Sequence, residues 1–228
     1  MVADQPRHVA LIVDGNRRWA RAHHMPYFAA YKVAGTNLVE NVCYAARRGV
    51  PVVTAFLFST ENWHRDKEEV ASVFKAFEQI LYEHTPTFID SGVRVRTIGD
   101  TPGLPDNIGA AIEHTVNRTA AGKVSDFLMA FNYGGRWDIV NAVKQLHKDD
   151  LSTLTEQDFA ELICTAPFGD PDLLIRTGGE QRVSNFMMWQ LAYTELYFSE
   201  LMWPDFQAND LEVALQNYAE RHRRLGST

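Results

Sequence analysis

The sequence is poor in cysteine and has fewer basic residues than acidic ones. Its two cysteines, Cys43 and Cys164, form neither a disulfide framework nor a metal-binding pair, so we expect reduced thiols in a cytoplasmic protein. The formal net charge is −7 and the isoelectric point is about 5.6. This balance argues against a general nucleic-acid-binding protein, although a local basic cluster can still bind a small anion.

Long apolar runs and several common motifs are also missing. The first apolar run, at residues 9–13, is too short to span a bilayer, and the residues before it do not resemble a signal peptide. We therefore expect at most peripheral contact with a membrane. The sequence contains no GxxxxGK[ST], GxGxxG, HExxH or GxSxG motif.

Apolar segments of strand length alternate with longer amphipathic segments. We predict strands at residues 9–13, 52–58, 93–98, 127–131, 173–175 and 196–198. We predict helices at residues 36–48, 68–89, 106–119, 137–147, 155–162 and 210–221. This alternation predicts an α/β fold with a mainly parallel six-stranded sheet surrounded by helices. Because we find no internal repeat and no linker, we expect residues 1–228 to form a single domain.

Three polar segments follow predicted strands, at the edge where parallel sheets bind their ligands. The first is Asp14-Gly15-Asn16-Arg17-Arg18, directly after the first strand. The backbone N–H groups of such a turn and its two arginines favour an anion. The aspartate can lie beside that anion only if a cation such as Mg2+ joins them. The segment therefore predicts a Mg2+–phosphate site, and the alternative is a tight turn with solvated arginines.

The second segment, FSTENWHR, follows the second strand and offers Ser59, Asn62 and Arg65 as phosphate donors. Its alternative role is local, because Ser59 can also cap the helical turn that follows. Glu195 is a lone acid among apolar neighbours, which is costly unless the carboxylate is paired, metal-bound or exposed. The sequence around Glu195 does not distinguish between these three possibilities.

The third segment, RTGGEQRVSN, follows the fifth strand. Arg176, Arg182 and Ser184 fall on a loop that two glycines allow to bend tightly. Arginine binds phosphate oxygens in bidentate fashion and serine adds a neutral donor, so this loop predicts a diphosphate clamp. The alternative is a flexible surface turn. The predicted helix 68–89 is rich in large apolar residues and either packs in the core or walls a tunnel for a hydrocarbon chain.

Four segments together resemble the cis-prenyltransferase family, of the undecaprenyl diphosphate synthase type: HVALIVDGNRRWA, FLFSTENWHRDKEEV, FNYGGRWDIV and DLLIRTGGEQRVSNFMMWQLAYTELYF. The similarity extends from about His8 to Gly226 and includes WPDF and RHRRLG. The resemblance implies a parallel sheet with surrounding helices, a homodimer and an elongated apolar tunnel. It also implies Mg2+-dependent condensation of isopentenyl diphosphate with an allylic diphosphate, which forms a Z double bond.

The resemblance implies a role for each matching residue. Asp14 matches the residue that holds Mg2+ at the diphosphate, and Glu195 matches an acid that completes the metal site from the neighbourhood of the partner subunit. The loop for the allylic diphosphate matches Gly15, Asn16, Arg17 and Arg18, with Arg65 assisting. The clamp for isopentenyl diphosphate matches Arg176, Arg182 and Ser184. Polar residues near the reacting carbons match Asn16, Ser59 and Asn62. The acceptor of the released proton stays open between the leaving diphosphate and a route through Asn16 and Ser59.

Two departures from the family bear on the substrate and the product. Tyr27, Ala30 and Tyr31 stand where many long-chain members carry an arginine and a Gly-His pair, and we place Tyr31 among the substrate-binding residues. Long-chain members have a small residue at the position of Leu57. A leucine there resembles short-chain actinobacterial members that make Z,E-farnesyl diphosphate. A larger side chain at the tunnel wall should stop the chain early. Leu57 and the tyrosine in place of the histidine are both features of those short-chain members, and this resemblance implies a product of about C15 made from geranyl diphosphate.

Three other functions remain open. One is head-to-middle coupling of dimethylallyl diphosphate with a second allylic diphosphate, as in lavandulyl-type enzymes. Another is the synthesis of a long polyprenyl diphosphate. The third is a non-catalytic partner subunit, which the presence of Asp14, Arg176 and Arg182 makes the least favoured of the three.

Overall fold

Six strands of the computed structural model, which describes residues 5–146 and 151–221, form one sheet. They are β1 (His8–Ile12), β2 (Val52–Ser59), β3 (Val93–Ile98), β4 (Ser125–Tyr133), β5 (Leu173–Arg176) and β6 (Glu195–Phe198). Their order is β3-β4-β2-β1-β5-β6, and every neighbouring pair is parallel. The predicted six-stranded sheet is confirmed, and it is parallel throughout.

Within the described residues, seven α-helices cover the sheet. They are α1 (Asn16–Ala22), α2 (Tyr27–Arg47), α3 (Lys67–Asp90), α4 (Asp106–Thr119), α5 (Gly135–Val143), α6 (Glu156–Ala160) and α7 (Ala208–Ala219). The predicted helix 137–147 corresponds to α5, and its last residue, His147, lies outside the described residues. None of the helices in residues 5–146 and 151–221 is long and apolar enough to cross a membrane.

Strand β1 explains why the sheet needs a layer of structure on each face. All five of its residues are buried, and successive side chains point to opposite faces. Val9 and Leu11 join the core formed with α2, α3, α4 and α7. Ala10 and Ile12 join a second core that includes Phe186 and Tyr133. A fully buried side chain of Val, Leu or Phe size contributes about 1.5–3 kcal/mol, so both layers stabilise the sheet.

Helix α2 begins at Tyr27, well before the predicted start at residue 36. Gly35 weakens the helix signal in the sequence, because glycine disfavours helix interiors by about 1 kcal/mol relative to alanine. Packing explains its presence: a Cβ atom at Gly35 would lie 2.7 Å from Ile80 Cγ1 of α3. Glycine therefore allows α2 and α3 to approach closely over the first core, and tertiary contacts outweigh the local propensity.

Candidate active site

A cavity of about 840 Å³ opens at the carboxyl edge of the sheet, where β1, β2 and β5 end. Every residue predicted for the site lines this cavity except Glu195. Those lining residues are Asp14, Gly15, Asn16, Arg17, Arg18, Tyr31, Leu57, Ser59, Asn62, Arg65, Arg176, Arg182 and Ser184. The wall also contains Arg21, Glu61, Asn185 and Trp203, which the sequence patterns did not indicate. The structure thus brings the three polar segments together, while the role of each residue remains a prediction.

Asp14 lies at the mouth of the cavity and is held from two sides. Its Oδ1 atom accepts the N–H of Gly15 at 2.6 Å, and its Oδ2 atom accepts Arg176 Nη2 at 2.8 Å. Gly15 has a φ of +103°, and a Cβ atom there would lie 2.9 Å from Met202 Cα. Only glycine suits this position, because other residues disfavour that φ and the space is filled. The turn therefore fixes the carboxylate, whose side chain stays 32% exposed.

Arg176 ends β5 and has a side chain only 3% exposed. Its Nη1 atom donates to Ser184 Oγ at 2.8 Å and also to the carbonyl oxygen of Arg182. Among the described residues, the buried Nε atom of Arg176 has no hydrogen-bond acceptor. A buried cationic donor without an acceptor indicates that an anionic ligand suits this end of the cavity.

The side chain of Arg182 lines the cavity, is 59% exposed and pairs with Glu180. Ser184 and Asn185 both adopt left-handed backbone conformations, with φ values of 46° and 62°. Asn185 holds this strained segment, because its Nδ2 atom donates to Glu61 Oε1 at 2.8 Å and its Oδ1 atom accepts the Arg136 N–H at 2.9 Å. Asn185 therefore connects the clamp loop to the loop after β2.

Ser59 and Asn62 form a reciprocal capping box around the 3-10 helix Thr60–His64. The backbone N–H of Ser59 donates to Asn62 Oδ1 at 3.1 Å. Local capping and a place in the cavity wall are therefore not exclusive, since both side chains also line the cavity. Partial burial would raise the pKa of the neighbouring Glu61, but hydrogen bonds from Asn185 and from its own loop hold that pKa below its usual value.

A buried carboxylate, Glu69 of α3, lies behind the arginines of the first two segments. Its side chain is 1% exposed. Tyr31 donates its hydroxyl to Glu69 Oε1 at 3.0 Å, Arg65 Nη1 lies 3.1 Å from the same atom, and Arg17 Nε lies 3.2 Å from Oε2. Sequence reasoning missed Glu69 because acids in the first turn of a helix are ordinarily exposed; Glu68, beside it, is exposed.

The interior of the cavity is apolar. Its lining comes from β2, β4 and the facing sides of α2 and α3: Ala34, Gly35, Leu38, Leu57, Phe58, Val73, Ala76, Phe77, Ile80 and Phe131. Leu57 is the extra residue of a β-bulge, since Phe56 pairs with Ala130 and Phe58 pairs with Phe131. The bulge leaves both Leu57 and Phe58 against the core under α2 and α3.

Glu195 is the predicted site residue that the structure places elsewhere. It opens β6 and pairs in register with Leu173, at the amino edge of the sheet. Val9 is level with Leu173, and β1 continues for three more residues before Asp14 follows its end, so about 10 Å of strand separates Glu195 from that edge of the sheet. Glu195 instead forms an ion pair of 2.6 Å with Arg221. Its contribution to a metal site from the neighbourhood of a partner subunit remains a prediction.

The residues around Asp14 suit a magnesium ion that arrives with a phosphate ligand. Among the described residues, no group of three or more His, Cys, Asp or Glu side chains forms a ready metal site. Asp14 supplies one partly exposed carboxylate, and the buried Oδ1 atom of Asn16 is an oxygen without a hydrogen-bond donor. Mg2+ commonly binds one or two carboxylates together with waters and substrate phosphates, so this oxygen-rich, incomplete set fits it.

Arginine and serine donors beside an apolar interior suit a phosphorylated, apolar ligand, and comparisons with known proteins identify the class of protein. Residues 12–226 match the family described as putative undecaprenyl diphosphate synthase. The chain is 43% identical over 231 residues to an isoprenyl transferase of Ralstonia nicotianae, covering 99% of this chain and 89% of that protein. It is 44% identical over 230 residues to the chloroplastic (2Z,6Z)-farnesyl diphosphate synthase of Solanum lycopersicum, covering 97% and 79% respectively.

A solved structure gives the same result. Lavandulyl diphosphate synthase from Lavandula x intermedia, in complex with dimethylallyl diphosphate, superimposes with a TM-score of 0.92 at 33% identity, covering 98% of this chain and 99% of that one. The protein is therefore a prenyltransferase. It belongs to the undecaprenyl diphosphate synthase family of cis-prenyltransferases, as the four sequence segments indicated.

Proposed function

We propose that this enzyme condenses isopentenyl diphosphate with geranyl diphosphate, in the presence of Mg2+, to a Z-prenyl diphosphate of about fifteen carbons. One observation carries the proposal: two sets of phosphate-type donors face a single cavity whose interior is apolar. Arg17, Arg18 and Arg65 form the first set and bind the allylic diphosphate. Arg176, Arg182 and Ser184 form the second set and bind isopentenyl diphosphate.

The reaction needs charge stabilisation and alignment. Breaking the allylic carbon–oxygen bond leaves negative charge on the departing diphosphate, and the fixed guanidinium groups of the first set stabilise it. Asp14, with Asn16 beside it, would hold Mg2+, which would supply further Lewis-acid stabilisation of that charge. The clamp around Arg176 holds isopentenyl diphosphate so that its alkene faces the allylic carbon, which lowers the entropic cost of the encounter.

Two features support a short product. The growing hydrocarbon enters the apolar interior, where Leu57 at the bulge and the ring pair of Phe77 and Phe131, 4.5 Å apart, occupy the wall. Close-packed interiors absorb extra methylene groups poorly, so added isoprene units meet a rising cost. The Solanum relative named as a farnesyl diphosphate synthase is consistent with a short product on this fold.

Head-to-middle coupling of dimethylallyl diphosphate with a second allylic diphosphate is the second candidate. Its support is the lavandulyl diphosphate synthase structure, which matches this chain over 98% of its length. In this reaction the clamp of Arg176, Arg182 and Ser184 binds dimethylallyl diphosphate in place of isopentenyl diphosphate. The complete donor set of that clamp serves either diphosphate, so the products must be compared directly.

Residues 1–228 form one catalytic domain in this proposal, and two copies of the chain assemble as a homodimer. Support comes from the edge strand β6 and its flanks, where Tyr193, Leu196 and Leu201 are 88%, 39% and 40% exposed. Apolar side chains at a sheet edge favour pairing with a second copy. We place the enzyme in the cytoplasm, a reducing compartment consistent with the free thiols of Cys43 and Cys164.

Product analysis with labelled substrates tests the function. Purified protein is incubated with Mg2+, isopentenyl diphosphate and geranyl diphosphate, and in parallel with geranyl and dimethylallyl diphosphates alone. We expect a C15 product with one new Z double bond in the first reaction, none after EDTA, and none in the second reaction. A branched product from the second reaction would establish head-to-middle coupling. Products much longer than C15 would show that the protein is a long-chain polyprenyl diphosphate synthase. The absence of any product would support a non-catalytic partner subunit.

A further inference from the structure

The buried carboxylate of Glu69 is the least expected charge near the cavity. Glu69 lies in the first turn of α3, and its side chain is 1% exposed. Burying a carboxylate costs several kcal/mol unless nearby charges and hydrogen bonds compensate it. A neutral residue at this position of α3 would avoid that desolvation cost. The presence of a carboxylate therefore indicates a functional role for Glu69.

The partners of Glu69 come from three separate elements. Arg17 belongs to α1, Tyr31 to α2, and Arg65 to the end of the loop after β2. All three line the cavity, whereas Glu69 lies behind them. Burial, and then the charge of Glu69, raise the pKa of Tyr31 above its ordinary value, so its hydroxyl stays protonated and donates. The carboxylate therefore holds Tyr31 and Arg65 by hydrogen bonds to Oε1, and it holds Arg17 by an ion pair to Oε2.

The geometry leaves the arginines free to bind a second group. Glu69 engages Nε of Arg17 and Nη1 of Arg65. In the part of the chain that the structure describes, both Nη atoms of Arg17 and the Nε and Nη2 atoms of Arg65 have no partner. The two arginine side chains are 45% and 31% exposed, so these donors are accessible. Two guanidinium groups and one carboxylate leave a net positive charge facing the cavity.

We propose that Glu69 is a positioning residue, which holds Arg17 and Arg65 in the orientation that receives the allylic diphosphate. The inference rests on the proposed function and names the residue that builds one half of its site. Without the carboxylate, the guanidinium groups of Arg17 and Arg65 repel one another and each side chain recovers its rotamer freedom. Ordering them again then reduces the free energy of binding of the allylic diphosphate. In residues 5–146 and 151–221, Arg176 bonds to Asp14, Ser184 and Arg182 and to none of the partners of Glu69, so the binding of isopentenyl diphosphate should be unaffected.

Glu69→Gln tests the inference, because it preserves the size of the side chain and an acceptor for Tyr31 while it removes the charge. The matched control is Glu68→Gln, the same change at the exposed neighbour. Binding is measured by calorimetry, without turnover, for geranyl diphosphate and Mg2+ alone and for isopentenyl diphosphate alone. We expect geranyl diphosphate to bind about tenfold more weakly to Glu69→Gln, with isopentenyl diphosphate unchanged, because Arg65 loses a charge-assisted hydrogen bond and Arg17 loses its ion pair.

A second variant guards against a folding defect. Glu69→Asp keeps the charge but shortens the reach to both arginines, so we expect the same selective loss to a smaller degree. Equal weakening of both diphosphates in the two variants, or no weakening of either, would overturn the positioning role. If the unmodified protein binds neither diphosphate, the proposed function itself fails, and the inference fails with it.

Discussion

Arg176 Nη2 donates to Asp14 Oδ2 across 2.8 Å, so the two predicted diphosphate-binding halves share an ion pair. Asp14 belongs to the turn that we assign to Mg2+, and Arg176 belongs to the clamp that we assign to isopentenyl diphosphate. The guanidinium is buried while the carboxylate is partly exposed. A change at either residue therefore alters the electrostatics of both halves.

Asp14→Ala should abolish turnover and also lower stability. The variant loses the carboxylate proposed to hold Mg2+, and it leaves the buried Arg176 without its counter-charge. Removing one partner of a fully buried pair costs about 3–5 kcal/mol, and the partial exposure of Asp14 reduces our expectation to about 2 kcal/mol. Steady-state kinetics and urea unfolding measure the two effects, with the exposed Asp90→Asn as control. Wild-type stability in Asp14→Ala would show that Ser184 and the Arg182 carbonyl alone satisfy Arg176.

Leu57→Ala should lengthen the product. The smaller side chain at the bulge opens the apolar interior where the growing chain packs, and the free energy of unfolding should fall by about 2 kcal/mol. The wild type and each variant are incubated with excess isopentenyl diphosphate, and the chain lengths of the products are measured by chromatography. Val39→Ala is the control, because Val39 is buried in the same core but does not line the cavity. Unchanged product length in Leu57→Ala would contradict the proposal that the Leu57 side chain limits chain growth.

Asn185→Ala should weaken isopentenyl diphosphate more than geranyl diphosphate. The change removes the bonds to Glu61 and Arg136 and places alanine at a φ of 62°, which costs about 1 kcal/mol. Asn185→Gly separates the two causes, because glycine tolerates that φ but makes neither side-chain bond. We expect the glycine variant to regain stability without regaining affinity, as judged from the two KM values and thermal unfolding. Full recovery of the KM would assign the effect to backbone strain alone.

The pH dependence of stability should contain a contribution from His8. Burial lowers the pKa of His8 to about 4, against 6.5 for the ordinary side chain. Its Nδ1 atom faces the Gly169 carbonyl at 2.9 Å and its Nε2 atom faces Thr54 Oγ1 at 2.7 Å, an arrangement that suits neutral imidazole. Between pH 6.5 and about 4 the unfolded chain takes up a proton that the native chain does not.

Stability should therefore fall as the pH drops through that interval, by about 2 kcal/mol at pH 5 from His8 alone. Urea unfolding at pH 7 and pH 5 measures this loss in the wild type and in His8→Gln. The variant keeps a donor and an acceptor but does not titrate, so its stability should fall less. An identical pH dependence in both proteins would contradict the lowered pKa.

The order of strands and helices could be predicted because hydrophobic periodicity reports burial. Residues 9–13, which cover most of β1, are apolar without interruption, as both faces of a parallel sheet require. The early start of α2 could not be predicted, because the reason for Gly35 is its distance to Ile80, a residue far along the chain. The bulge at Leu57 likewise depends on the register with β4, which no local pattern encodes.

The site was predictable where function depends on residue type and hidden where it depends on burial. Asp14 and Arg176 stand out because each directly follows an apolar segment of strand length, and Arg65 stands out because it ends the polar segment after another. Glu69 carries no such signal, since only the packed structure distinguishes it from the exposed Glu68. Glu195 differs from both, because only the family resemblance implied a metal ligand there, and within the described residues its carboxylate pairs with Arg221.

The position of β1 between β2 and β5 has a consequence for biosynthesis. One edge of β1 pairs with β2 early, but its other edge pairs with β5, and Asp14 and Arg176 are 162 residues apart. At about 5–20 residues per second, a ribosome needs roughly 8 to 30 seconds to add the missing strand. Throughout that time the central strand of the nascent chain exposes an unpaired edge, the feature that invites aggregation. Catalytic competence and protection from aggregation should therefore be acquired together, once β5 has been synthesised and has paired with β1.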